Sequence, residues 1–160
     1  TPAAPEAPVE PELAEPSDVS GMQSLGQLDE QPSAAMRDYE AAFSQLRAGR
    51  YAEASDAFRA FLDAYPGHAL EANARYWLSE TYYVRGDYQE AARGFAQGYR
   101  DYPGSAKQAD NLLKLALSLS NLGQTEQACV TLSELRRTVP DAPTPIRKRA
   151  DQERERLGCS

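Results

Sequence analysis

The residues that could do chemistry in this chain are few and far apart. His68 is the single histidine, and the two cysteines, Cys129 and Cys159, lie far from it in sequence. A catalytic triad needs a histidine beside a nucleophile, and a zinc site needs three or four ligands, so neither can be assembled. Acidic residues such as Asp101 and Asp110 are too ordinarily spaced to indicate a catalytic pair. We therefore expect no enzyme activity, no metal site and no cofactor.

The two cysteines could still bond to each other. Cys129 lies near the start of a predicted helix, and an antiparallel helix after it would bring Cys159 back towards that start. Two is the even number that a disulfide requires in an oxidising compartment. The alternative is a buried free Cys129 and a frayed Cys159, and the sequence does not decide between them. A bond would close a loop of roughly 30 residues and add about 3–4 kcal/mol in the chain-entropy description.

A pattern of residue types that recurs every 37 residues determines where the predicted helices begin and end. Glycine ends a helix in the left-handed conformation, alanine permits a close helix crossing, and proline prevents a helix from continuing. A fixed period of this size predicts a solenoid of helical hairpins. The recurring residues are Gly49, Gly86 and Gly123, then Ala54, Ala91 and Ala128, then Phe58, Phe95 and Leu132, and finally Pro66, Pro103 and Pro140.

The predicted fold is all-α, with three hairpins and a C-terminal capping helix in a right-handed α-solenoid. Ser33 is expected to cap the first helix, and Ser105 with Gln108 has the spacing of a capping box for the fifth. The last helix is mostly charged, as expected of a segment that covers the exposed end of a solenoid. The predicted repeats cover about residues 34–67, 70–104 and 105–140, and the capping helix covers about 144–157.

Residues 1–32 differ in composition from residues 33–160. They hold seven acidic residues and six of the eleven prolines, with no Lys, Arg or aromatic residue. Such a stretch buries too little apolar surface to fold, so we predict a disordered acidic, Pro-rich linker. The alternative is a docking segment around residues 19–22. The net charge of −7 belongs to this stretch, because residues 33–160 hold equal numbers of acidic and basic residues.

The charge and hydropathy patterns also exclude two classes of protein. A nucleic-acid binder needs a net basic face, which neither part of the chain provides. No run approaches the roughly 18 apolar residues of a membrane span, so we expect no membrane insertion. The sequence begins at Thr1, without Met and without an apolar signal segment, and is therefore expected to be a mature or trimmed chain.

The repeated pattern resembles tetratricopeptide repeats, although their usual period is about 34 residues. The longer unit, with YEAAF at 39–43, ANARYWL at 72–78 and the Ala128-Cys129 pair, is similar over about residues 34–157 to a narrower group. That group is the C-terminal domain of the CpoB family of periplasmic Tol-Pal proteins. The resemblance implies TolA and a class A peptidoglycan synthase as partners, and coordination of septal wall synthesis with outer-membrane constriction. It also implies a trimer through an N-terminal coiled coil that this sequence lacks.

The first helices of such repeats line a concave groove. Tyrosine offers apolar area with a hydrogen-bonding tip, and an Asn amide can hold a peptide backbone. The alternative is that the aromatic residues only pack against neighbouring helices, and Trp77 is assigned to the core. The predicted groove residues are Tyr39, Phe43, Asn73, Tyr76, Glu80, Tyr83, Asp110, Leu113 and Leu117.

The predicted function is a non-catalytic scaffold that docks a peptide or helix in this groove. A generic peptide-binding adaptor and a structural oligomerisation module are the alternatives. A carboxylate-clamp adaptor would need Lys, Arg and Asn in the groove, where we expect mainly aromatic and acidic residues. His68 is expected to be a structural residue of its turn.

Overall fold

The computed structural model describes residues 32–160, so the predicted linker lies almost wholly outside the described residues. No helix in the described part is long and apolar enough to cross a membrane. Residues 32–160 contain seven helices of 14 residues each and no strand. These are α1 (Ala34–Arg47), α2 (Tyr51–Ala64), α3 (Glu71–Val84), α4 (Tyr88–Asp101), α5 (Gln108–Asn121), α6 (Thr125–Thr138) and α7 (Thr144–Leu157).

The helices repeat with the period predicted from the sequence. The first helices α1, α3 and α5 begin 37 residues apart, and so do the second helices α2, α4 and α6. Each helix from α1 to α6 packs against the next one along the chain, and α7 packs against both α5 and α6. The all-α fold of stacked helical hairpins is therefore confirmed. We call the hairpins α1–α2, α3–α4 and α5–α6 units one, two and three.

The helix ends follow from local sequence. Ser33 caps α1 as predicted, because its Oγ accepts a hydrogen bond of 3.2 Å from the backbone N–H of Met36. Gly49, Gly86 and Gly123 end the first helices with φ values of 75°, 80° and 75°. An L side chain is strained at such angles, so glycine allows the chain to turn directly into the second helix.

The residues that lengthen the repeat form the turns between units. His68 Nδ1 accepts a hydrogen bond from the backbone N–H of Leu70 at 3.0 Å, so His68 is a structural residue of its turn. Ser105 occupies the same place one period later, and its Oγ accepts a hydrogen bond of 3.3 Å from the backbone N–H of Lys107. The predicted capping box of Ser105 and Gln108 is wrong, because the Ser105 hydroxyl is used inside the turn and α5 begins only at Gln108.

The core lies along the crossings between successive helices. The alanines predicted at the crossings are completely buried, and the larger side chains one turn later fill the space beside them. Each large apolar side chain buried in this way contributes about 1.5–3 kcal/mol. These core residues are Ala54, Ala91 and Ala128, with Phe58, Phe95 and Leu132.

One crossing departs from the repeat. Gly98 in α4 stands where units one and three have the buried Phe61 and Leu135. The vacated space is taken by Asn111 of α5, which is 1% exposed and stands where unit two has Ala74. A Cβ added at Gly98 would lie 2.8 Å from Asn111 Oδ1, so each departure compensates for the other.

The terminal helix α7 is attached by covalent and polar contacts. Cys129 of α6 and Cys159 form a disulfide, with Cα atoms 5.5 Å apart, so the structure contains the bond that the sequence left open. Buried Glu153 pairs with Arg156, which also donates to Ser120 Oγ of α5 at 2.6 Å. Burial alone would raise the pKa of Glu153, but hydrogen bonds from Arg156 and Ser120 outweigh it and hold the pKa low.

Replacing both cysteines by serine should lower the free energy of unfolding by about 3–4 kcal/mol, because the unfolded chain loses a cross-link. Urea unfolding of Cys129→Ser/Cys159→Ser and wild type, both without reductant, measures the difference. Two free thiols in denatured wild-type protein purified without reductant would show that the bond is absent.

Gly98→Ala should destabilise the protein by about 1–3 kcal/mol, although alanine favours helix, because its Cβ overlaps the Asn111 side chain. In the background of Asn111→Ala, which restores the residue type of unit two, the same change should cost much less. A double-mutant cycle by chemical denaturation measures this coupling. Equal costs in both backgrounds would contradict the steric explanation.

Candidate functional site

A cavity of about 390 Å³ opens between α3, α5 and α7. Its floor and walls come from three helices that are distant in sequence, so the solenoid must be assembled before the site exists. No group of three or more potential metal ligands occurs within residues 32–160. The cavity is lined by Tyr76, Trp77, Glu80, Tyr83, Lys107, Asp110, Leu113, Lys114, Leu117, Pro145, Ile146 and Arg149.

The structure brings together six of the nine residues predicted for the groove. The other three lie elsewhere: Tyr39 and Phe43 are buried between α1 and its neighbours, and Asn73 does not line the cavity. Phe43 packs edge-on against Trp77 at 4.9 Å between ring centroids. Binding of a partner by any of the nine residues stays a prediction. The six residues at the cavity are Tyr76, Glu80, Tyr83, Asp110, Leu113 and Leu117.

The aromatic wall of the cavity is held by the core behind it. Tyr76 contacts Trp77 edge-on at 5.0 Å and Phe95 of α4 at 5.6 Å. Tyr83 contacts Tyr88 edge-on at 5.3 Å. Trp77, assigned to the core from the sequence, is buried as expected and also forms part of this wall. Rings fixed on several sides lose little freedom on binding, so the wall is preorganised.

Three basic side chains, which the sequence did not predict there, line the same cavity beside its aromatic and acidic residues. Lys107 is only 6% exposed, and its Nζ lies 4.9 Å and 5.1 Å from the ring centroids of Tyr76 and Trp77. Lys114 Nζ lies 4.6 Å from the Tyr83 ring centroid. The ring faces stabilise these ammonium groups electrostatically. Arg149 comes from α7, which the sequence reasoning treated only as a cap.

Glu80 is the buried carboxylate of the cavity, with 3% of its surface exposed. Its Oε1 accepts a hydrogen bond from Lys114 Nζ at 3.1 Å, whereas its Oε2 has no hydrogen-bond partner in the described part of the chain. Burial raises the pKa of Glu80, Lys114 opposes the shift, and the negative charge of Asp110 adds to it. The cavity therefore combines an apolar aromatic wall with a carboxylate that retains hydrogen-bonding capacity.

Glu80→Gln should change the pH dependence of stability. The pKa of Glu80 is raised in the folded protein, so wild-type stability falls as pH rises from the unfolded value of 4.5 through the folded one. The Glu80→Gln variant lacks this fall, so its free energy of unfolding relative to wild type should increase over a pH range that begins near 4.5.

Urea unfolding across that pH range measures the difference. The matched control is Glu90→Gln, which removes a carboxylate of α4 that is 47% exposed and pairs with Arg93. A Glu80→Gln difference that stays constant with pH would contradict the prediction.

Comparisons with known proteins fit this architecture. Models of the tetratricopeptide-repeat family match residues 39–106 and 110–142, together more than half of the chain. Two Pseudomonas putida proteins, each called "Cell division coordinator CpoB", are 43% identical to it over 51 residues. The match covers 32% of this chain and 19% of the length of each relative.

Proposed function

Because this chain belongs to the tetratricopeptide-repeat family, we propose that it is a non-catalytic scaffold that binds a segment of another protein between α3, α5 and α7. The similarity to cell division coordinators supports a role in cell division. The cavity supports binding, since it joins a rigid aromatic wall to a few polar groups, as peptide and ligand sites commonly do.

The finer proposal concerns the partners and the compartment. We propose that the protein acts in the periplasm as part of the Tol-Pal system, where it binds TolA and a class A peptidoglycan synthase. In this way it would coordinate septal peptidoglycan synthesis with outer-membrane constriction. The disulfide between Cys129 and Cys159 supports an oxidising compartment. We propose these partners for the whole protein, because the match covers only 19% of the length of each relative.

The tyrosines of the wall are poor positions for testing this function. Tyr76 and Tyr83 are each 6% exposed and pack against other rings of the core. Truncating a buried aromatic residue to alanine costs about 3–5 kcal/mol. Loss of binding in a Tyr76→Ala/Tyr83→Ala variant would therefore report damage to the fold as readily as loss of a contact.

Pro145→Arg gives a cleaner test at the mouth of the cavity. Pro145 is exposed in the first turn of α7 and lines the cavity, so arginine there adds bulk and another positive charge without removing core contacts. We expect the affinity for the periplasmic region of TolA, measured by isothermal titration calorimetry, to fall about tenfold or more, which corresponds to about 1.4 kcal/mol.

Pro143→Arg is the matched control, because Pro143 is also exposed and lies two residues away but does not line the cavity. Thermal unfolding of both variants checks that the fold is intact. Equal TolA affinity for both variants and wild type would place binding elsewhere. Failure of wild type to bind TolA would reject this partner.

A further inference from the structure

Two charged residues interrupt the apolar pattern of the repeats, and both line the cavity. Glu80 stands where units one and three have the buried Phe43 and Leu117. Lys107 stands where unit two has the buried Leu70. The hairpins therefore form with apolar side chains at these places, and packing does not require the charges. Departures from a local rule are expected where a protein serves function rather than stability.

The hydrogen bonding of Glu80 is incomplete. An ionised carboxylate can accept about four hydrogen bonds, and buried polar atoms are rarely left without any partner. Lys114 satisfies Oε1, while Oε2 has no partner within residues 32–160. Asp110 faces Glu80 from α5 with the same charge and cannot donate as a carboxylate. The cavity thus contains a buried carboxylate oxygen, Glu80 Oε2, that accepts no hydrogen bond from the side chains around it.

We propose that Glu80 selects the partner by accepting, at Oε2, a hydrogen bond from an uncharged N–H group of the bound segment. The donor is a main-chain amide or the side-chain amide of Asn or Gln. This inference rests on the proposed function, because it names the chemistry that the same cavity recognises.

The charges around the cavity favour an uncharged donor. Lys107, Lys114 and Arg149 line it against two carboxylates, Glu80 and Asp110, so the lining carries an excess positive charge. An ammonium or guanidinium group entering the cavity would be repelled, whereas an amide N–H would not. Oε2 is itself buried, so the side chains that cover it must shift for the donor to reach it.

The apolar wall completes the description of the partner. Tyr76, Tyr83 and Leu113 offer apolar surface in the same cavity as Glu80. A bound segment therefore places an apolar side chain on these residues and an N–H group of the same or an adjacent residue against Glu80. A short stretch of polypeptide without Lys or Arg at these positions meets both requirements.

The test uses a phage-displayed library of random 12-residue peptides, selected on the full 160-residue chain. Selected peptides that bind the Pro143→Arg variant but not the Pro145→Arg variant are the cavity-dependent ones. Their affinities are then measured for wild type, for Glu80→Gln and for the exposed-carboxylate control Glu90→Gln. We expect Glu80→Gln to weaken them about tenfold or more, and the control to leave them unchanged.

The Glu80→Gln variant is informative because Lys114 fixes the orientation of the new side-chain amide. The Lys114 ammonium group has only donors, so the amide must turn its oxygen towards Lys114 and its NH₂ towards the partner. Two donors then face each other at the former Oε2 position. The variant should unfold at the same temperature as wild type or higher, whereas a purely structural role for Glu80 would lower its Tm together with the affinity.

An N-methyl scan of one cavity-dependent peptide identifies the donor. Methylating a single N–H should weaken binding to wild type about tenfold and should have little further effect on Glu80→Gln. If these peptides are indifferent to Glu80→Gln, this inference is wrong and the cavity remains a binding site. If binding of these peptides requires Lys or Arg as the donor, the proposal of an uncharged donor is wrong. If no selected peptide depends on the cavity, the proposed function itself fails.

Discussion

None of the three hairpins in residues 32–160 can bury its apolar face alone, and that constraint determines the rest of the structure. The second helix of each unit also packs against the first helix of the next unit, and the two bury their apolar side chains in one continuous core. Stacking must therefore continue until an element arrives that has little apolar surface of its own. The highly charged α7 is that element, and it exposes most of its side chains to solvent.

The same helix that closes the core also builds the candidate site. α7 contributes Pro145, Ile146 and Arg149 to the cavity, opposite the aromatic residues of α3. One segment thus packs against the core helices α5 and α6 and also forms a wall of the cavity.

Sequence reasoning recovered the helices because glycine, alanine and proline act locally and recur with the period. It recovered only part of the candidate site. The helical wheel predicted Tyr76 and Tyr83 on the groove face, and both line the cavity, but it could not show that Tyr39 and Phe43 are covered by neighbouring helices. The lysines were missed because Lys107 precedes its helix and because long side chains reach across helices. A comparison of units would have found Lys107, since it replaces a leucine.

The position of the disulfide has a mechanical consequence. Cys159 is the penultimate residue of the described chain, and its partner Cys129 lies near the start of α6. A load applied at the C terminus is therefore transmitted through the sulfur atoms into α6, and it bypasses the 14 residues of α7. The wall of the cavity would keep its shape under tension that would peel an untethered terminal helix away.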